Sequence, residues 1–251
     1  MNKEVEYIYD SRGFGTLFIN RAEKKNAISG KIAKELNELI DEIEIDKIKF
    51  LVVKSAEGNV FCAGGDLNDL NDDLTEEEAY RDLTPMKNLV YKLTTFPLPT
   101  ICLLHGKALG GGCEIATACD FRIAKEGTSF GFVQANLGIL PGWGGGAVLY
   151  EKVDINFAYQ WLLEAKMYSV DYLKENKWID KIISNEEWNE DLILSEYLKR
   201  SRSQMQHLKS QYLERIDHKN LYAKMDLESK RCANLWESDT HKEAVQRFLN
   251  R

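Results

Sequence analysis

The sequence predicts an α/β fold on three observations. Short apolar runs recur through the first three quarters of the chain, helical periodicity separates them, and glycine-rich turns join the two. Gly15-Thr16-Leu17-Phe18-Ile19-Asn20 reads as a strand. Ile32, Leu36, Leu39, Ile40 and Ile43 then return at helical spacing. Phe50 to Lys54 (FLVVK), Thr100 to Leu104 (TICLL) and Asp120 to Ala124 (DFRIA) are further strands, spaced widely enough for crossover helices. From about Glu186 the texture becomes charged, proline-free and helical, with Trp188, Leu192, Leu198, Leu208, Tyr212, Leu235, Trp236, Phe248 and Leu249 as apolar anchors. The predicted organisation is a core over 1–185 and a helical region over 186–251, packed on that core or on a neighbouring subunit.

Bulk properties narrow the function. The 251 residues suffice for one sizeable core, and 44% apolar with 29% charged residues is ordinary globular composition. A net charge of -7 without a basic stripe argues against nucleic acid. No apolar run approaches the ~18 residues of a membrane span. The opening MNKEVEYIYD has no apolar signal core, so a cytoplasmic protein is expected. Cys62, Cys102, Cys113, Cys119 and Cys232 show no metal-ligand spacing and read as buried, reduced thiols. No metal site is expected.

Glycine turns carry the chemistry. No P-loop string is present. Gly142-Trp143-Gly144-Gly145-Gly146-Ala147 fits a dinucleotide fingerprint on paper. It follows Leu140-Pro141 rather than a strand, and its Trp stands where a pyrophosphate must approach, so a tight turn opening a helix is expected instead. Two other segments each run from a strand through small residues into a helix: Val60-Phe61-Cys62-Ala63-Gly64-Gly65-Asp66-Leu67, and Ala108-Leu109-Gly110-Gly111-Gly112-Cys113-Glu114. Such turns expose backbone N–H groups to negative charge, and the second has a carboxylate close behind it.

Together these strings resemble the crotonase superfamily, the enoyl-CoA hydratase/isomerase family. The likeness runs from Asn20-Arg21-Ala22-Glu23-Lys24-Lys25-Asn26-Ala27-Ile28-Ser29 through FCAGGDL, HGKALGGGCEIATACDFRIA and Phe130–Gly145 to Ser238–Leu249. It implies a crotonase-like spiral of ββα units, C-terminal helices that build a homotrimer or a hexamer of paired trimers, and a role in fatty acid metabolism. The implied substrate is a coenzyme A thioester, with no further cofactor. The resemblance gives the N–H groups of Gly65 and Gly111 to an oxyanion hole. It puts coenzyme A along Asn26, Ala27 and Ala63, with Lys24 and Lys25 for the phosphates or simply solvated. The helix after Asp66 shapes the acyl pocket. Asp66 is expected as a structural cap, Asp120 and Arg122 as a structural pair, and His105 as a hydrogen-bonded turn residue.

One position departs from the pattern. Family hydratases use two glutamates; Glu114 matches the first, whereas Gln134 replaces the second and Val133 the proline before it. A carboxamide holds water or an anion but takes up no proton at neutral pH. Catalytic candidates are therefore Glu114, Gly65, Gly111 and Gln134. Hydratase or isomerase chemistry stands first as a class. Decarboxylation of a methylmalonyl- or ethylmalonyl-type thioester is the alternative, because the Phe130–Gly145 string resembles decarboxylase-type members. A non-catalytic acyl-CoA-binding role stands third.

Overall fold

The computed structural model describes residues 3–66 and 74–249, and the side chains within them as far as residue 247. β1 (Val5–Asp10) and β2 (Phe14–Ile19) form an antiparallel hairpin at the edge of the main sheet. After α1 (Gly30–Asp41) the chain repeats one unit: a strand in the main sheet, a short strand in a second sheet, then a helix. β3 (Leu51–Ser55), β4 (Val60–Cys62) and α2 (Glu76–Thr94) make the first unit. β5 (Thr100–Leu104), β6 (Lys107–Leu109) and α3 (Gly111–Ala118) make the second. β7 (Phe121–Lys125), β8 (Ser129–Gly131), a short 3-10 turn at Gln134–Leu137 and α4 (Gly145–Lys152) make the third. This is the expected spiral of ββα units.

α5 (Ile155–Glu164), β9 (Tyr168–Ser169), α6 (Val170–Glu175) and β10 (Lys181–Ile183) complete the sheets. The main sheet runs β1-β2-β3-β5-β7-β10, parallel from β2 onward, and the second runs β4-β6-β8-β9. Parallel strands covered on both faces require unbroken apolar runs, and all five residues of β5 are buried. Alternation divides the main sheet: Leu51, Val53, Cys102 and Leu104 face the larger core, while Val52, Ile101, Leu103 and Ile123 face the other side.

That other side is closed by α7 (Glu190–Leu198) and α8 (Arg202–Leu213), through Ile193, Leu194 and Met205. Here the anchors differ from expectation. Leu192 and Leu208 are more than half exposed and Tyr212 is 42% exposed, because the helices present the neighbouring faces to the sheet. Trp188 and Leu198 pack as expected on this cluster. The side chains of Phe248 and Leu249 lie outside those described.

α9 (His218–Trp236) lies across α2 and α4, joined by Asp226 to Lys87 and to the Tyr80 hydroxyl. α10 (Asp239–Leu249) follows, and His241 Nδ1 sits 2.6 Å from Leu137 O. Asp120 and Arg122 do not pair with each other as side chains. Asp120 holds Lys209 of α8 at 2.6 Å, while Arg122 holds Asp180 at 3.0 Å and caps the end of α3 through Cys119 O. Each charge found a distant opposite charge that the local sequence does not display. Among the described residues, no helix is long and apolar enough to cross a membrane.

Candidate active site

The two glycine turns meet. Gly64 has φ +93°, and a Cβ there would stand 3.0 Å from Leu109 O and 3.2 Å from Gly111 N. Only glycine combines that backbone with so close an approach. Ile28 N–H donates to Gly64 O and Asp66 N–H donates to Ile28 O, both at 2.9 Å, so this bridge leaves the Gly65 N–H turned away from it. Gly111 opens α3, where the first N–H groups have no partner within the helix. Among the described residues, neither N–H donates to a backbone oxygen. Both glycines line a cavity of about 570 Å³.

Glu114 stands in the first turn of α3 and is 1% exposed. Its Oε1 accepts from Gln134 Nε2 at 2.9 Å, and its Oε2 accepts from the backbone of Trp143 at 2.9 Å and Gly145 at 2.8 Å. Burial pushes its carboxyl up from the ordinary 4.5 to about 7, against the opposing pull of those donors. Gln134 is buried as well, and its Oε1 has no hydrogen-bond partner.

The Gly142–Ala147 string opens a helix, as expected, and its amides serve carboxylates of the protein. Glu114 takes those of Trp143 and Gly145, and Glu228 of α9 accepts from Gly146 at 3.2 Å. Burial, and then the charge of Glu114, push the Glu228 carboxyl well above the usual range. The sequence reading missed Glu228, and took Cys232 as a buried thiol and Trp236 as an apolar anchor, which both are, without placing them at the site. Their i, i+4, i+8 spacing puts them on one face of α9, and the last two line the cavity.

Asp66 also lines the cavity, and Arg21 Nη1 holds it at 2.5 Å while Arg21 Nε holds Glu4 at 2.8 Å. Asn26 is 1% exposed. It receives Arg21 N–H and donates to Ala56 O and Val60 O, so its side chain secures the turn. Ala63 lines the cavity; Lys24, Lys25, Asn26 and Ala27 do not, and both lysines are exposed. His105 departs from expectation: its Nε2 is buried without a hydrogen-bond partner, and burial lowers its pKa. The residues just after Asp66, through 73, lie outside those described.

A two-sheet spiral bringing two glycine turns and a buried carboxylate to one cavity defines the crotonase fold class. The Bacillus halodurans enoyl-CoA hydratase structure superposes with a TM-score of 0.86 at 21% identity, over 98% of this chain and 100% of that one. The family model for enoyl-CoA hydratase/isomerase matches residues 11–251, and the chain belongs to that family. Ethylmalonyl-CoA decarboxylase of Gallus gallus is 39% identical over 154 residues, 61% of this chain and 51% of that protein. Mitochondrial methylglutaconyl-CoA hydratase of Homo sapiens is 32% identical over 159 residues, 63% of this chain and 47% of that protein. The chain spans about half the length of the first curated relatives it matches.

Proposed function

We propose that this protein is an acyl-CoA enzyme that stabilises a thioester enolate. We further infer that the enolate arises by loss of carbon dioxide from a 2-carboxyacyl-CoA of the methylmalonyl or ethylmalonyl type. One observation carries the second step: Glu114 faces a carboxamide, Gln134, where two-carboxylate hydration needs a second acid. Among the described residues, the other acids lining the cavity are Asp66, held by Arg21, and Asp82, which is exposed.

In this reading the thioester oxygen sits between the N–H groups of Gly65 and Gly111. The bond from Cα to the carboxylate breaks, its electron pair passes into the enolate, and carbon dioxide leaves. The two donors stabilise the oxygen most when it bears full charge, each by roughly 2.7–4 kcal/mol of barrier. Glu114 in its acid form then delivers a proton to Cα and regains one from solvent, so each turnover consumes one proton. A carboxyl titrating near 7 is suited to that transfer at neutral pH. Gln134 holds Glu114 in place without adding a negative charge that would repel the substrate carboxylate.

Coenzyme A runs past Ala63 toward Asn26 and Ala27, with Lys24 and Lys25 near its phosphates, and no other cofactor is needed. Exposed Ile155, Tyr159 and Leu163 at i, i+4, i+8 on α5 support assembly of copies into a trimer or hexamer. The buried free cysteines support a cytoplasmic site. The methylglutaconyl-CoA hydratase relatives favour a second reading, in which Glu114 acts as base and Gln134 holds water.

Ethylmalonyl-CoA and crotonyl-CoA, assayed side by side with mass-spectrometric product analysis, separate these. Carbon dioxide and butyryl-CoA from the first are expected, lost in Glu114→Ala, with faster crotonyl-CoA hydration in Gln134→Glu than in wild type. Hydration by wild type without decarboxylation refutes the decarboxylase reading, and no turnover of either favours a binding protein.

A further inference from the structure

The Trp143 indole occupies a position that neither the reaction nor the packing of α4 requires. The backbone of Trp143 lies just before α4 and donates to Glu114, a task that any residue but proline performs. Its side chain turns the other way. A Cβ on Gly111 would collide with Cζ3 and Cη2 of the indole and stand 2.6 Å from Cε3. A Cβ on Gly65 would stand 3.8 Å from Cζ2. The six-membered ring therefore lies against both glycine turns, on the side a Cβ would take.

Residue 143 thus meets both donor turns with its ring and the buried carboxylate with its backbone. A thioester whose oxygen reaches those N–H groups has its Cα beside the ring, and every group on Cα shares that space. The indole is 8% exposed, belongs to the main apolar core and lines the same cavity as Met86, Val133, Ile139 and Trp236.

We propose that Trp143 is the specificity-determining residue of the site, limiting it to thioesters with short, compact substituents on the α-carbon. This rests on the acyl-CoA reading above but not on which reaction follows. The ring has two consequences for such a substrate. It stops a long alkyl branch by steric exclusion, because a packed aromatic yields only at the cost of shifting its neighbours. Where the reaction is decarboxylation, it also offers the departing carboxylate an apolar face instead of water, which favours the neutral product.

The test compares ethylmalonyl-CoA with hexylmalonyl-CoA as substrates of wild type, Trp143→Phe and Trp143→Ala. Wild type is expected to prefer the ethyl compound. The ratio of kcat/KM values should narrow by at least about tenfold in Trp143→Ala and by less in Trp143→Phe, as pocket discrimination of a few methylenes implies. The same variants are titrated calorimetrically with butyryl-CoA and decanoyl-CoA, which need no turnover. There Trp143→Ala should gain affinity for the longer chain relative to the shorter. If wild type decarboxylates neither substrate, the decarboxylation reading fails while the binding ratio still decides the role of Trp143. An unchanged ratio in a folded Trp143→Ala protein, in both assays, overturns the proposal.

Discussion

Replacing Glu114 with Gln tests the electrostatics of the site independently of its chemistry. In the folded protein the Glu114 carboxyl titrates near 7, against an ordinary 4.5. Between these values the native state holds a proton that the unfolded chain has released. The sign follows from that difference. The wild type loses stability as pH rises from 4.5 toward 7, and the loss levels off above 7. At about 1.4 kcal/mol per tenfold change, the whole effect is about 3 kcal/mol.

Gln carries no such proton, so its stability relative to wild type should rise with pH. The replacement is also accommodated. Its oxygen can keep the Trp143 and Gly145 amides, and its NH2 group can donate to Gln134 once that amide flips to present the Oε1 now lacking a partner. Urea unfolding of both proteins at about pH 5 and about pH 8 reads the difference: groups remote from Glu114 cancel, while Glu228, whose carboxyl the Glu114 charge raises, adds to it in the same direction. The gain of the variant between those pH values should be about 2.5 kcal/mol, since part of the effect falls below pH 5. An offset that stays constant with pH refutes the view of Glu114 as a buried carboxyl titrating near neutrality.

Two further outcomes follow from the same geometry. Gly111→Ala places a methyl group against the Trp143 ring and should lower kcat by about a hundredfold or more through displacement of one donor; adding Trp143→Ala should recover part of that loss, and equal losses in the single and double variants would show the contact to be irrelevant. Asp66→Ala leaves Arg21, 13% exposed at its side chain, without one of its two carboxylates. This should cost about 3 kcal/mol in chemical denaturation, whereas a change of a few tenths would mean that water replaces the carboxylate freely.

The strands at Phe14–Ile19, Leu51–Ser55 and Thr100–Leu104 were legible because a parallel strand buried on both faces must be apolar throughout. The second sheet was not. β4, β6 and β8 have three residues each and gain their identity by pairing with one another across the spiral. β1 was missed because two of its six residues carry charge, and Ile8 and Tyr9 are exposed at the sheet edge.

The sequence by itself determined the fold class, the two glycine turns, and the replacement of an acid by Gln134, because backbone freedom and proton capacity belong to residue types. Only the tertiary structure decided what those residues meet. Nothing local shows that the Trp143 ring lies on Gly111, that Glu228 shares the first turn of α4 with Glu114, or that Asp120 and Arg122 hold Lys209 and Asp180 instead of each other. Each is a contact between segments far apart in the chain, and the burial that raises the Glu114 carboxyl exists only once those segments close over it.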